Sequence, residues 1–226
     1  MSRGENEFVH LPGFAARLYD NLTQTRAIQV MYSEVARELT GRLDHGRLLD
    51  IGTGPGHLLH EIHRLRPSLE LFGLDISEAM ISLARRNLGG IPVDLRQGNI
   101  RKTDYADGFF DLITSTGSFY LWDEPVECLN EIHRILKPGG AACIYESYRD
   151  YDEMAFRLAL QNNLAKETLT RRWLTPGFLK RQLRMTYASG QVEGILRATR
   201  FNGAFKVEKI ILANLPVWLR IKLTKP

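Results

Sequence analysis

The stretch RLLDIGTGPGHLLHEI, Arg47 to Ile62, decides the fold. A branched apolar run closes on Asp50, and glycines then stand at 52, 54 and 56. Leu58, Ile62 and Leu65 follow at helical spacing. The pattern reads as a strand, a bare loop and a helix. Glycine lets the chain turn sharply with positive φ and lets a ligand approach the backbone. The helix that starts beside Gly56 offers unpaired N–H groups. In a parallel sheet, ligands sit beyond the carboxyl ends of the strands, where such a loop lies.

Working outward, the same alternation recurs. LELFGLDI (69–76) reads as a second strand, and Ser77 caps a helix EAMISLARRNL that Gly89-Gly90 ends. VDLRQGN (93–99) is a third strand and FFDLITS (109–115) a fourth. A helix from Pro125 to Leu136 precedes a fifth strand, AACIYES (141–147). Upstream, residues 25–40 place Ile28, Met31, Tyr32, Val35 and Leu39 on one helical face. Downstream, residues 205–225 carry two strand patterns joined only by Asn214-Leu215-Pro216, which permits only an antiparallel pair. The expected fold is α/β: a doubly wound, mostly parallel seven-stranded sheet with one antiparallel C-terminal strand. The chain reads as a single domain over 1–226, with an N-terminal helical cap (1–45), an inserted helical segment (148–186) and a crossover helix near 189–199.

Composition narrows the function. At 226 residues the chain has room for one ordinary α/β domain; 44% hydrophobic and 25% charged residues are normal for a globular protein. No apolar run reaches the ~18 residues of a membrane span. The opening stretch lacks the apolar core of a secretory signal, and Cys128 and Cys143 are too few for a disulfide framework, so a cytoplasmic location is expected. A net charge of +4 permits an RNA partner without requiring one, and no DNA partner is expected. His57, His60 and His63 drift around their helix by about 60° per step, which reads as a solvated face and gives no metal site.

The glycine loop must also be assigned a ligand. A dinucleotide fingerprint would need its third glycine at position 57, which is His57, and no P-loop Gly-Lys-Ser/Thr is present. Asp50 at the strand end suits a cationic amine better than a pyrophosphate. In these respects LLDIGTGPG resembles motif I of class I S-adenosylmethionine-dependent methyltransferases. LFGLDIS, RQGNI and FFDLITSTGSFYLW resemble motifs II, III and IV, and EIHRILKPGG resembles the helix and turn before the fifth strand. The resemblance is strong over 47–147. It implies S-adenosylmethionine as cofactor and S-adenosylhomocysteine as product. The implied binding residues are Asp50, Gly52, Thr53, Gly54 and Gly56 on the first loop and Asp75, Ile76 and Met80 around the second. Gly98, Asn99 and Ile100 follow on the third, and Ser115, Thr116 and Gly117 on the fourth. Asp75 would hold the ribose hydroxyls, Ile76 a face of the adenine and Ile100 its edge. Asn99 stands where the family often has aspartate, and its amide oxygen can accept the same bond. FAARLYDNL resembles the A-x-x-Y-D segment of quinone-type methyltransferases, in which Tyr19 would fold over the cofactor.

The acceptor is less constrained. The loop Ser115 to Tyr120 lacks the proline pair of enzymes that methylate exocyclic amines, and neither cysteine sits as a C5-pyrimidine nucleophile would. Glu146 and Tyr120, after the fifth and fourth strands, are the candidate catalytic residues, with Glu146 as base or substrate anchor. Residues 166–184 hold six Lys/Arg against Glu167, interleaved with Trp173, Leu174, Phe178, Leu179 and Leu183. This insert reads as a helical cap, a lid for an anionic or lipidic small molecule, or a peripheral membrane contact. The first reading is a small-molecule methyltransferase. RNA or protein methylation is the alternative among enzymes, and cofactor binding without methyl transfer the alternative outside them.

Overall fold

The structure is a computed structural model that describes Gly13, Asp20 and residues 25–165 and 167–226, the side chains of Thr170, Arg171, Leu174 and Phe178 excepted. Its elements are α1 (Arg26–Thr40), β1 (Gly46–Ile51), α2 (His57–Leu65), β2 (Leu69–Asp75), α3 (Glu78–Leu88), β3 (Val93–Gln97), β4 (Phe110–Thr116), α4 (Pro125–Ile135), β5 (Leu136–Ser147), α5 (Glu153–Leu164), α6 (Leu169–Met185), α7 (Ser189–Arg197), β6 (Phe205–Leu212) and β7 (Leu215–Thr224). The strands form one sheet in the order β3-β2-β1-β4-β5-β7-β6. Chain order reverses between β1 and β4, and there the β1 loop opens.

Local chemistry sets the helix starts. Thr25 Oγ1 accepts from Ile28 N (3.3 Å) to cap α1, Ser77 Oγ accepts from Met80 N (3.4 Å) to cap α3, and Asp152 Oδ1 accepts from Met154 N and Ala155 N to cap α5. The central strands are largely apolar in their middles because both faces are covered. Leu49 and Ile51 enter one core with Ile113 and Leu129, while Leu48 enters the other with Val35, Leu39 and Ile62.

The C-terminal hairpin makes β7 antiparallel to both β5 and β6, as its short connection requires. The turn residues are Ala213 and Asn214, with φ of 50° and 62°, so the hairpin closes one residue earlier than the sequence reading placed it. Leu215 and Pro216 already belong to β7. Glu34 Oε2 accepts from Ala213 N (2.8 Å), tying this turn to α1. The region read as one helical insert contains two helices, α5 and α6. Phe156, Leu160 and Leu183 from them pack on Leu215 and Val217 at the start of β7, a small core separate from the two that flank the sheet.

Candidate active site

The β1 loop is held to β2 by its backbone. Gly52 N and Thr53 N both donate to Leu74 O (2.7 and 3.1 Å). Gly52 has φ +68°, and a Cβ there would fall 2.5 Å from Ser118 Cβ, so the β4 loop closes over this position only because it is glycine. Gly54 N donates to Asp75 Oδ2 (2.8 Å) and Ser77 N to Asp75 Oδ1 (2.9 Å). One backbone donor thus fixes each oxygen, and each keeps a lone pair for a ligand hydroxyl. Burial raises the Asp75 pKa, and the two N–H bonds oppose that rise.

These loops border a cleft of about 900 Å³, open to solvent. Gly52, Thr53, Gly54, Asp75, Ile76, Met80, Gly98, Asn99, Ile100, Thr116, Gly117 and Tyr120 all line it, with Tyr32, Ser118, Leu121, Trp122 and Asp123. The sequence analysis did not single out Ser118, whose hydroxyl donates to Ile51 O (3.2 Å) and lies 2.8 Å from Ser115 Oγ. Asn99 Oδ1 accepts from Arg101 N (2.9 Å), which fixes the β3 loop and leaves the amide free on its exposed side.

Four residues expected here stand elsewhere. Asp50 is 2% exposed behind the lining, and burial pushes its carboxyl up to about 7, with the Asp75 charge adding to the rise. Ser115 is fully buried behind Ser118. Gly56 packs α2 on α3, where a Cβ would meet Leu88 Cδ1 at 3.0 Å and Ala84 Cβ at 3.3 Å. Glu146 is fully buried and does not line this cleft: its carboxylate accepts from Tyr120 N (3.1 Å) and Ser147 N (2.8 Å), so it braces the turn that presents Tyr120. Burial pushes that carboxyl up to about 7. Tyr19 lies outside the described residues. His57 Nε2 lies 2.6 Å from Asp20 Oδ1 at the start of α2. Among the described residues no His, Cys, Asp and Glu group suits a metal ion.

A second cleft, of about 1170 Å³, adjoins the first. The sequence pointed only to its α5–α6 side, read there as a lid or cap, because the other walls come from distant parts of the chain. Ile28 and Met31 of α1, Phe156 and Leu160 of α5, Leu179 and Leu183 of α6, and Leu215, Val217 and Trp218 of β7 make it mainly apolar. Tyr32, Thr116 and Gly117 line both clefts. Two buried polar atoms at these walls, Thr116 Oγ1 and Trp218 Nε1, have no hydrogen-bond partner among the described residues. A buried unpaired polar group costs free energy, so each is a candidate to meet a ligand.

The first cleft suits a nucleoside cofactor: a two-point carboxylate for a diol, and Ile76, Met80 and Ile100 as apolar walls for a base. Comparison with known proteins agrees. A family model described as a methyltransferase domain matches residues 43–198. The chain belongs to the class I S-adenosylmethionine-dependent methyltransferases. Over 105 residues it is 33% identical to the uncharacterized methyltransferase YdaC of Bacillus subtilis, covering 46% of this chain and 58% of that protein. Over 102 residues it is 31% identical to the demethylmenaquinone methyltransferase of Deinococcus radiodurans, covering 44% and 42%. The chain thus spans about half the length of the curated relatives it matches. Among solved structures, a putative S-adenosylmethionine-dependent methyltransferase from Methanococcus maripaludis superposes with a TM-score of 0.72 at 23% identity, covering 100% of this chain and 97% of that one. The plantazolicin methyltransferase BpumL, solved with a triazolic desmethylPZN analog and SAH, gives 0.71 at 18% identity, covering 97% and 94%. At these identities the likeness shows the fold of the methyltransferase.

Proposed function

We propose that the protein transfers a methyl group from S-adenosylmethionine to an apolar small molecule held in the second cleft. The observation that carries this reading is the shared wall: Tyr32, Thr116 and Gly117 border both clefts, so ligands in the two would meet there. S-adenosylmethionine supplies a methyl already activated on a sulfonium. The protein's work is then positioning and exclusion of water. Asp75 would accept the ribose hydroxyls with its free lone pairs, Ile76 and Ile100 would flank the adenine, and Gly54 would leave its open side to the cofactor. The apolar walls would desolvate the acceptor and aim its nucleophilic atom at the junction. Thr116 Oγ1 would orient a polar atom of the acceptor there, with Tyr120 on the cofactor side. Glu146 acts through Tyr120 as a brace. Support for a small-molecule acceptor comes also from the demethylmenaquinone methyltransferase relatives.

The test is transfer of label from S-adenosylmethionine carrying a tritiated methyl, using demethylmenaquinone and a total lipid extract as acceptors. The reading expects label in the organic phase. Label confined to RNA or protein would transfer the reaction to macromolecules. Cofactor binding with no label in any fraction would leave a binding protein.

A further inference from the structure

The α5–α6 hairpin has two apolar faces. One lines the second cleft. The other points to solvent and carries most of the exposed large apolar side chains among the described residues. Among the described residues seven large hydrophobic side chains are exposed, and Met154 (83%), Leu158 (62%), Leu169 (82%), Trp173 (81%) and Met185 (44%) all belong to this hairpin. Single exposed apolar residues are ordinary on a protein surface, but five of these seven on one hairpin are a concentration.

Helical spacing groups them. Met154 and Leu158 are one turn apart on α5, opposite the buried Phe156 and Leu160. On α6, Leu169, Trp173, Lys180 and Arg184 recur at i, i+4, i+11 and i+15, a stripe roughly a quarter-turn round the helix from the cleft-lining Leu179 and Leu183. Lys180 Nζ reaches Glu153 Oε1 (3.6 Å), beside Met154, so the two faces adjoin. Residues 153–185 contain seven Lys/Arg and only two acids, Glu153 and Glu167. Aromatic and aliphatic tips within a basic field are the chemistry of an anionic lipid surface, where apolar side chains enter the headgroup boundary and cations meet lipid phosphates.

We propose that the outer face of α5 and α6 docks on an anionic membrane surface, with Leu169 and Trp173 inserted and Lys180 and Arg184 against the headgroups. The same two helices wall the second cleft on their inner side, so docking places that cleft beside the lipid phase. An apolar acceptor could then pass from lipid to cleft without crossing water. Apolar burial supplies the insertion, and charge selects the lipid.

The experiment is cosedimentation of the full chain with vesicles, without cofactor or acceptor, so that it is independent of the methyl-transfer reading. Vesicles of phosphatidylcholine with about a third phosphatidylserine should retain the protein, with a blue shift in tryptophan emission. Pure phosphatidylcholine should retain at least about tenfold less. Leu169→Ser/Trp173→Ser should lose binding about tenfold or more while keeping its affinity for S-adenosylhomocysteine, since neither residue lines a cleft. Retention by the two vesicle types alike, or no retention by either, overturns the proposal. So does undiminished binding by the double variant. A dimer in sedimentation velocity that the double variant abolishes, with no vesicle binding, gives the patch to a second copy of the chain and equally overturns it.

Discussion

The two clefts are built on opposite principles. The cofactor cleft is made of loops that leave the ends of adjacent parallel strands, all drawn from residues 51–123 except Tyr32, and its key groups are backbone donors and one carboxylate. The second cleft is walled by elements that are remote in the chain, from Thr25 to Trp218, and its surface is mainly aliphatic. The first is fixed by hydrogen bonds on the sheet. The second depends on how α5 and α6 lie over β7.

The largest effect should break the first cleft alone. Asp75→Ala removes two charge-assisted ribose bonds worth ~1.5–3 kcal/mol each and releases Gly54 N, so S-adenosylhomocysteine affinity should fall by about 100-fold or more in titration calorimetry. An apolar probe in the second cleft should be unaffected. An alanine variant that binds like the parent would remove Asp75 from the ribose. The mirror experiment is Leu179→Glu, which puts a charge into the apolar cleft at a half-buried position. Methyl transfer should drop by about tenfold, because partial burial of an apolar acceptor is worth ~1.5 kcal/mol, while cofactor affinity stays within about twofold. Equal losses in both would mean that the clefts are not separable.

A smaller effect sits on the shared wall. Thr116→Val keeps the shape and removes a buried hydroxyl that has no partner. Stability should stay level or rise slightly, and turnover should fall a few-fold through a changed kcat with cofactor affinity intact. Unaltered turnover would make the hydroxyl a bystander. The smallest effect concerns Glu146. Its carboxyl is raised to about 7 in the fold against an ordinary 4.5, so the folded state holds the proton more tightly than the unfolded chain. Its contribution to stability is therefore present at low pH and lost as pH rises through the window from about 4.5 to 7. Glu146→Gln cannot ionise, so its melting temperature should fall less than the parent's across that window. A parallel pair of profiles would show that this carboxyl does not titrate there.

This division also governs what could be read in advance. Gly52, Gly54 and Asp75 were legible because loop chemistry at a strand end is local: spacing within a few residues fixes what the backbone can do. The alternation of apolar runs and helical periods gave the sheet and its reversed strand for the same reason. Glu146 misled because its place at the end of β5 is that of a site residue, while its environment is set by Tyr120, 26 residues away, whose turn folds over it. Ser115 misled similarly, since Ser118 shields it. Of the second cleft only the α5–α6 side was anticipated, where the insert read as a lid or cap. Phe156, Leu160 and Leu183 have ordinary helical spacing, and nothing local tells that Leu215 and Val217 will face them.

A crystal structure with bound S-adenosylhomocysteine tests the shared wall most directly. The account predicts both ribose hydroxyls on Asp75 and the thioether sulfur at Thr116 and Gly117, facing the apolar cleft. A sulfur turned away from that cleft, or a ribose held by another residue, would contradict it.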